Sequence, residues 1–183
     1  MRGPSQVIRT RRLVIRPVVQ RDGRALERVL ADAEVMRFSA TGPLSRAEVR
    51  DWMAVARGPA QPGCGRLVLC LGGDVIGYAG LRADGPRKGE FGIRLARREW
   101  GRGLAREAGA AILARAERAG ISTIRAEVDP GNAASRRLLA RLGFVEMGEV
   151  LHPGYDHPDL VLIRRRQRPT KAHSVRYKAA HLR

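Results

Sequence analysis

Seven segments of the chain carry runs of branched apolar residues bounded by glycine, proline or charged residues, a pattern that predicts β-strands. These segments are residues 9–17, 66–71, 75–81, 90–95, 123–128, 144–149 and 160–164. Gly72, Gly73 and Asp74 separate the second segment from the third and indicate a hairpin. The pattern therefore predicts a sheet of about seven strands.

Four other segments place apolar residues three or four positions apart, the spacing of amphipathic helices. They are residues 22–31, a segment that begins after Ser45, a segment from about Leu104 to Gly120, and residues 133–142. Ser45 and Glu48 form a capping-box sequence, and Asn132 is suited to cap the fourth helix. Residues 32–38 are predicted to lead into a loop. The order of these elements predicts a mixed α/β (α+β) fold.

The length and composition suit one folded domain. With 183 residues, 44% of them hydrophobic, we predict a domain over residues 1–166 and a basic tail over residues 167–183. No apolar run approaches a membrane span, and the N-terminus lacks the apolar core of a signal peptide. Cys64 and Cys70 are too few and wrongly spaced for a zinc site or a disulfide framework. These features favour a cytoplasmic protein with no membrane contact.

The formal net charge of +17 predicts attraction to polyanions such as coenzyme A, nucleic acid or an acidic protein surface. Charge alone does not choose among them. The basic tail is either a solubilising segment or an electrostatic arm for RNA or an acidic partner.

Residues 89–113 carry the strongest local signal, because a strand is followed by an arginine- and glycine-rich turn and then by an alanine-rich helix. The first N–H groups of a helix have no internal partner, and glycines let a phosphate approach them closely. Gly101 and Gly103 would allow a phosphate to approach the helix in this way, or they only form a tight turn. Gly92, inside the strand, indicates a bulge or the close approach of another backbone. The segment lacks the third glycine of the G-x-G-x-x-G dinucleotide-binding fingerprint, and the chain has no P-loop sequence. Both of these nucleotide-binding motifs are therefore excluded.

The string Arg98-x-x-Gly101-x-Gly103 resembles the acyl-coenzyme-A-binding motif of the GNAT superfamily of N-acetyltransferases. Residues 10–17, 32–37 and 129–136 are similar, in the same order, to strings of the RimJ/RimL-like branch, which acetylates protein N-termini. The resemblance implies a GNAT fold with about seven strands and four helices, splayed between its two central parallel strands. Gly92 is our candidate for allowing that opening.

The resemblance also implies acetyl-CoA as the cofactor. Backbone N–H groups near Leu95, Ala96 and Arg97 would meet the thioester and pantetheine, and the segment from Arg98 to Ala105 would hold the pyrophosphate. The cofactor-binding residues it implies are Leu95, Ala96, Arg97, Arg98, Gly101, Arg102, Gly103, Leu104, Ala105, Asn132 and Ser135.

Acetyl transfer to an amine needs a base that removes the amine's proton. Glu90 is our first candidate, acting through water, although it could instead be a solvated strand residue or bind the cationic amine. Glu149 is the second candidate.

A donor must also protonate the leaving thiolate, and many GNAT relatives use a tyrosine for this at the position of Leu139. Ser135 could hydrogen-bond the sulfur instead, or it could serve only the helix N-terminus. Tyr155 is a further candidate, although a loop tyrosine is more often a packing residue. His152 and His157 flank a turn without an obvious third ligand, so no metal site is predicted.

The sequence thus predicts an acetyl-CoA-dependent N-acetyltransferase that acts on a primary amine, with a protein N-terminus as the favoured acceptor. One alternative is a small-molecule acceptor such as an antibiotic, polyamine or amino acid. The other is a basic RNA- or ribosome-associated protein with a vestigial cleft. The resemblance also implies a homodimer as one assembly, because members of the family often dimerise. Acceptor specificity is expected in the loops at residues 36–44, 58–65 and 151–159.

Overall fold

A computed structural model describes residues 7–153 and 156–166, so Tyr155 and the predicted tail lie outside the described residues. The strands are β1 Ile8–Arg9, β2 Leu13–Pro17, β3 Gly65–Leu71, β4 Asp74–Ala83, β5 Lys88–Leu95, β6 Thr123–Val128, β7 Val145–Val150 and β8 Asp159–Arg165. The helices are α1 Gly23–Leu30, α2 Ala33–Met36, α3 Arg46–Arg57, α4 Leu104–Arg118 and α5 Ala133–Arg141, with 3₁₀ turns at Gln20–Asp22 and Arg97–Glu99. Among the described helices, none is both long and apolar enough to cross a membrane.

The strands form one mixed sheet in the order β1-β2-β3-β4-β5-β6-β8-β7. Neighbours are antiparallel except β5 and β6, which are parallel. The prediction of a mixed α/β fold is confirmed. The described sheet has eight strands and not the predicted seven, because the segment predicted as the first strand forms two strands, β1 and β2. The amide of Thr10 donates to the carbonyl of Leu13 at 2.9 Å, and this turn folds β1 back onto β2.

The segment at residues 32–38, predicted to lead into a loop, contains a fifth helix, α2. The Asp32 carboxylate accepts from the amides of Glu34 and Val35 and so caps this single turn. A helix of four residues is too short to show a helical period in the sequence. The capping residue Asp32 was the one sequence feature that could have indicated this helix.

The two central parallel strands separate as predicted. β5 and β6 pair at three positions, of which Glu90 with Arg125 is the last, and beyond this pair the strands diverge. The hypothesis of a bulge at Gly92 is wrong with respect to β4, because the β4–β5 register runs through Gly92 without a shift. The opening arises from the loss of β5–β6 pairing and not from an extra residue in β5.

Alternate residues of the central strands pack into two separate layers, as the period of a strand requires. On one face of the sheet, Ala108, Ile112 and Leu113 of α4 pack against the strands. On the other face of the sheet, α1 and α3 cover β2–β4. Gly109 allows the end of α5 to approach α4, since a Cβ there would lie 2.7 Å from a Leu142 methyl. Cys64 and Cys70 are buried free thiols, and burial raises the pKa of both.

Candidate functional site

The turn between β5 and α4 exposes backbone N–H groups at the start of the helix. Gly101 and Gly103 both have φ of 74°, a left-handed conformation that favours glycine, and Gly103 is the N-cap residue of α4. No side chain caps this helix, so its first amides stay available to an anion. The Trp100 indole donates to the Leu95 carbonyl at 2.9 Å and ties the turn to the end of β5.

A cleft of about 460 Å³ opens beside this turn. It runs from the first turns of α4 and α5 past the end of β5 to α2 and the residues after it. Seven of the predicted cofactor-binding residues line it, namely Leu95, Gly101, Gly103, Leu104, Ala105, Asn132 and Ser135. Asn132 caps α5, because its side-chain oxygen accepts from the Ser135 amide at 3.0 Å. The tertiary structure thus brings together two sequence segments that lie about thirty residues apart.

The other predicted cofactor-binding residues lie outside this cleft. Ala96, Arg97 and Arg98 line a separate cavity of about 540 Å³ against α1. Arg98 and Arg102 both pair with the buried carboxylate of Glu99, at 3.1 Å for Arg98. Glu99 therefore fixes both guanidinium groups and offsets part of the positive charge of the turn.

Five arginines that the sequence did not assign to the cofactor line the cleft: Arg37 after α2, Arg94 on β5, Arg106 on α4, and Arg137 and Arg141 on α5. Arg137 and Arg141 are four residues apart and therefore lie on one face of the helix. This spacing could have predicted from the sequence that α5 presents a cationic face. The opposite rim is formed by residues of and after α2, including Phe38, whose ring carries the Arg37 guanidinium 5.2 Å from its centroid. These cations give the cleft a positive wall suited to phosphate groups.

The N-terminal strands brace the start of α4 through Glu107. Its carboxylate accepts from the Thr10 hydroxyl at 2.6 Å, from the Arg12 amide at 2.8 Å and from Arg12 Nε at 2.7 Å. Arg12 also donates to the Arg102 carbonyl at 2.9 Å and so reaches the turn itself. Burial opposes ionisation of Glu107, but the hydrogen bonds from Thr10 and Arg12 outweigh it and lower the pKa of Glu107 to about 2.

We expect Glu107→Gln to lower the free energy of unfolding at neutral pH by about 1–3 kcal/mol, the cost of losing charge-assisted hydrogen bonds. Because the pKa of Glu107 is lowered in the folded protein, its contribution is complete above the unfolded value of about 4.3 and disappears as the pH falls towards about 2. Urea titrations of both proteins at about pH 7 and about pH 3 should show the difference shrinking by more than half at the lower pH. Equal differences at the two pH values would contradict this role, and Glu146→Gln, a half-exposed site, is the control.

The predicted catalytic residues are not all near the cleft. Ser135 lines it, whereas Glu90 and Glu149 are not among its lining residues. Glu90 pairs with Arg82 on the neighbouring strand, and Glu149 lies exposed on β7. Tyr155 lies outside the described residues.

A second group of charged residues borders the opening between β5 and β6. Ile124, Ala126 and Val128 pack into the core, so the alternating Arg125 and Glu127 lie on the opposite face of β6. Glu127 is two residues beyond the last β5–β6 pair. Its carboxylate pairs with Arg125 at 2.5 Å and with His152 Nε2 at 2.8 Å. Sequence reasoning missed Glu127, since its partner His152 comes from the distant β7–β8 loop.

Four more residues extend this group. His157 faces Asp129 at 3.0 Å through Nε2 and Asp156 at 2.7 Å through Nδ1. Both ring nitrogens can donate to carboxylates only in the imidazolium form, and these hydrogen bonds raise the pKa of His157. Burial and the nearby Asp129 and Glu127 carboxylates raise the pKa of Asp159.

The donor atoms of Glu127, His152 and Asp159 lie within 4.8 Å of one another, as do those of Asp129, His157 and Asp159. Metal sites show such spacing, but here imidazoles and carboxylates already pair with each other. We therefore interpret the group as a network of hydrogen bonds and ion pairs.

Comparison with known proteins agrees with this geometry. The family model described as an acetyltransferase (GNAT) domain matches residues 12–145. An acetyltransferase from Agrobacterium tumefaciens str. C58 is 26% identical, with a TM-score of 0.72, covering 91% of this chain and 98% of that chain. Curated proteins give no sequence match.

Two solved relatives contain coenzyme A or a derivative. Mycobacterium smegmatis RimJ in complex with CoA-disulfide is 24% identical, with a TM-score of 0.71, covering 84% of this chain and 81% of that chain. The aminoglycoside acetyltransferase AAC(6')-Ib in complex with coenzyme A is 17% identical, with a TM-score of 0.69, covering 84% of this chain and 95% of that chain. At these identities the likenesses show the fold. Because the family model covers more than half of the sequence, the chain belongs to the GNAT acetyltransferase family, and it is an N-acetyltransferase whose cofactor is acetyl-CoA.

Proposed function

We propose that the chain transfers the acetyl group of acetyl-CoA to the α-amine of a protein N-terminus. The observation that carries the proposal is the opening between β5 and β6, which lies between the cleft at the N-termini of α4 and α5 and the ion-pair network around Glu127. A thioester held in the cleft can meet an amine that arrives from the charged face. Holding the two reactants together in this way can supply much of the rate.

In this proposal the turn at Gly101 and Gly103 and the first amides of α4 hold the pyrophosphate. Three of the arginines that line the cleft, Arg106, Arg137 and Arg141, supply further cationic contacts for coenzyme A phosphates. Because Glu99 holds Arg98 and Arg102, we assign these two side chains to shaping the turn, while their backbone still borders the phosphates. The backbone of Leu95 to Arg97 and the Asn132 region meet the pantetheine.

Ser135 is the residue proposed to donate a hydrogen bond to the departing thiolate, since it lines the cleft next to Asn132. Leu139, which occupies the position of the tyrosine used by many relatives, is 4% exposed and has no proton to give. The assignments of Glu90 and Glu149 as bases stay predictions.

A protein N-terminus is favoured as acceptor by the strings that resemble the RimJ/RimL-like branch at residues 10–17, 32–37 and 129–136. The fold shared with RimJ is consistent with it. The fold shared with an aminoglycoside acetyltransferase supports a small-molecule amine as the second candidate. Acceptor specificity is expected to reside in loops, which the shared fold does not determine, so the acceptor has to be identified by assay.

The experiment is acetyl-CoA turnover, followed by thiol release and mass spectrometry, against amines that differ in one feature at a time. We expect acetylation of a peptide with a free N-terminus. We expect none of the same peptide when its N-terminus is blocked and a lysine side chain is the only amine. Turnover confined to a polyamine or an aminoglycoside would select the second candidate, and binding of acetyl-CoA without turnover of any amine would overturn both.

A further inference from the structure

We propose that Glu34 binds the positively charged amine of the acceptor on the α2 side of the cleft, and so selects acceptors that arrive as cations. This inference rests on the proposed transfer to an amine, but not on whether that amine belongs to a protein N-terminus or to a small molecule. The role is recognition: Glu34 holds the ammonium as it approaches, and the residue that later removes a proton is a separate assignment.

The first argument is the side of the sheet on which Glu34 lies. Glu34 lines the cleft from α2, and its neighbours Val35 and Met36 are buried in the apolar layer under α1 and α3. The helix α4, whose first amides are assigned to the phosphates, packs in the layer on the other face of the sheet. Glu34 therefore faces the cleft from the side opposite to the proposed phosphate site.

The second argument is that the segment after α2 reaches the opening between β5 and β6. A Cβ at Gly131, in the turn after β6, would lie 3.6 Å from the Phe38 ring. Leu95, at the end of β5, lines the same cleft as Phe38 and Glu34. The α2 side of the cleft thus stands beside the ends of both diverging strands, where an amine would reach a thioester held at the end of β5.

The third argument is the charge of the cleft. Five arginines line it, whereas the carboxylates among its described lining residues are those of Glu34 and Glu99. Glu99 is 6% exposed, and Arg98 and Arg102 hold its carboxylate. Glu34 is exposed, and within the described part of the chain its carboxylate makes no hydrogen bond or ion pair. Of these two carboxylates, Glu34 is the one available to a cation.

The residues next to Glu34 leave its carboxylate available. Arg37 follows three positions later, a spacing at which ion pairs form on helices, but its guanidinium lies over the Phe38 ring, 5.2 Å from the centroid. The α2 helix is capped by Asp32, which accepts from the amides of Glu34 and Val35. The Glu34 side chain is therefore needed neither as a partner for Arg37 nor as the cap of α2.

The chemistry of the acceptor explains what this carboxylate does. At about pH 7 an α-amine, with a pKa of about 7.7–8.0, and a lysine-type amine, with a pKa of about 10.4, are mostly protonated. Arginines attract the phosphates of coenzyme A but repel an ammonium group. A carboxylate on the acceptor side of the cleft offsets that repulsion locally, so the same cleft can bind an anionic cofactor and a cationic acceptor.

The test compares Glu34→Gln with the wild type, using whichever amine the wild type acetylates. We expect the acceptor KM to rise about 10-fold or more, the size expected from the loss of one hydrogen bond to a charged group. We expect kcat and the calorimetric affinity for acetyl-CoA to stay at the wild-type values, because only acceptor binding is weakened. At about 1 M salt the difference in KM should shrink, since exposed ion pairs are screened.

Asp51→Asn is the matched control, because it removes one carboxylate from an exposed position on α3 that does not line the cleft. It should keep the wild-type acceptor KM. Glu34→Asp keeps the charge and should restore most of the affinity that Glu34→Gln loses. A wild-type KM in Glu34→Gln, or an equal rise in Asp51→Asn, would overturn the proposal. A fall in kcat of about 10²-fold at unchanged KM would overturn it too, by making Glu34 the proton acceptor.

A binding measurement tests the proposal without turnover. With coenzyme A bound, calorimetry compares a peptide whose N-terminus is trimethylated, which keeps its charge and cannot be acetylated, with the same peptide acetylated and therefore neutral at its N-terminus. The wild type should bind the trimethylated peptide more tightly, and Glu34→Gln should bind the two alike. Equal affinities in the wild type would overturn the proposal.

The outcome for Glu34 is separate from the outcome for the proposed function. Turnover confined to a polyamine or an aminoglycoside would reject the protein N-terminus as acceptor. The trimethylated and acetylated forms of that amine then replace the two peptides, and the expected difference is the same. If no amine is turned over, the peptide comparison alone decides whether Glu34 recognises a cation.

Discussion

Replacing Gly103 with valine should weaken acetyl-CoA binding by about 100-fold or more while the protein stays folded. Gly103 is the N-cap residue of α4 at φ of 74°, a conformation that costs a branched residue about 1–3 kcal/mol. Valine relieves that strain by rotating the turn, which moves the first amides of α4 away from the phosphates. Its side chain would also occupy space that a phosphate needs. Since tenfold in affinity is about 1.4 kcal/mol, losing two phosphate hydrogen bonds accounts for the size of the effect.

Gly120→Val is the matched control for this prediction. Gly120 follows the other end of α4 with φ of 96°, and a Cβ there would have no atom within 4 Å. The backbone strain is therefore comparable, but the site is at the wrong end of the helix for an anion. Calorimetry should show acetyl-CoA affinity lost in Gly103→Val and retained in Gly120→Val. Equal affinities in two folded variants would remove the turn from the cofactor site.

Leu113→Ala should lower the free energy of unfolding by about 3 kcal/mol, within the range of about 2–5 for a buried leucine. Leu113 is 0% exposed on the face of α4 that packs on the sheet. Close packing leaves the neighbours little freedom to fill the cavity, so both the lost burial and the void contribute. Urea unfolding measures this loss directly.

Val55→Ala is the control for that substitution, because Val55 is 70% exposed on α3. It should change the free energy of unfolding by no more than about 0.5 kcal/mol. Leu113 lines no part of the cleft, so folded Leu113→Ala should bind acetyl-CoA as the wild type does. A loss below about 1 kcal/mol would show that the α4 layer repacks more easily than its burial indicates.

Elements that depend on local chemistry were predictable. The capping box at Ser45 and Glu48 forms as predicted, with the Ser45 amide donating to Glu48 at 2.7 Å and the Glu48 amide donating to Ser45 at 3.3 Å. The strand from Thr123 to Val128 has the predicted bounds. In both cases the decisive contacts join residues a few positions apart, or follow from a simple alternation of apolar residues.

Short elements were harder to predict. β1 has two residues and α2 has four, which is too few for either period to be visible. β1 exists because the Thr10–Leu13 turn and the Glu107 brace hold the chain against β2. The Glu107–Thr10 contact spans 97 residues, and no pattern near Thr10 indicates it.

The sequence by itself determined the fold class, the splayed central strands through their likeness to a known family, and the glycine-rich turn at the start of α4. These depend on hydrophobic period, on caps and on the left-handed conformation that glycine alone adopts cheaply. Only the tertiary structure decided which charged groups from distant parts of the sequence face each other: Glu107 with Arg12, and Glu127 with His152. The physical reason is that charged side chains pair by distance in space, and strand order and register set those distances.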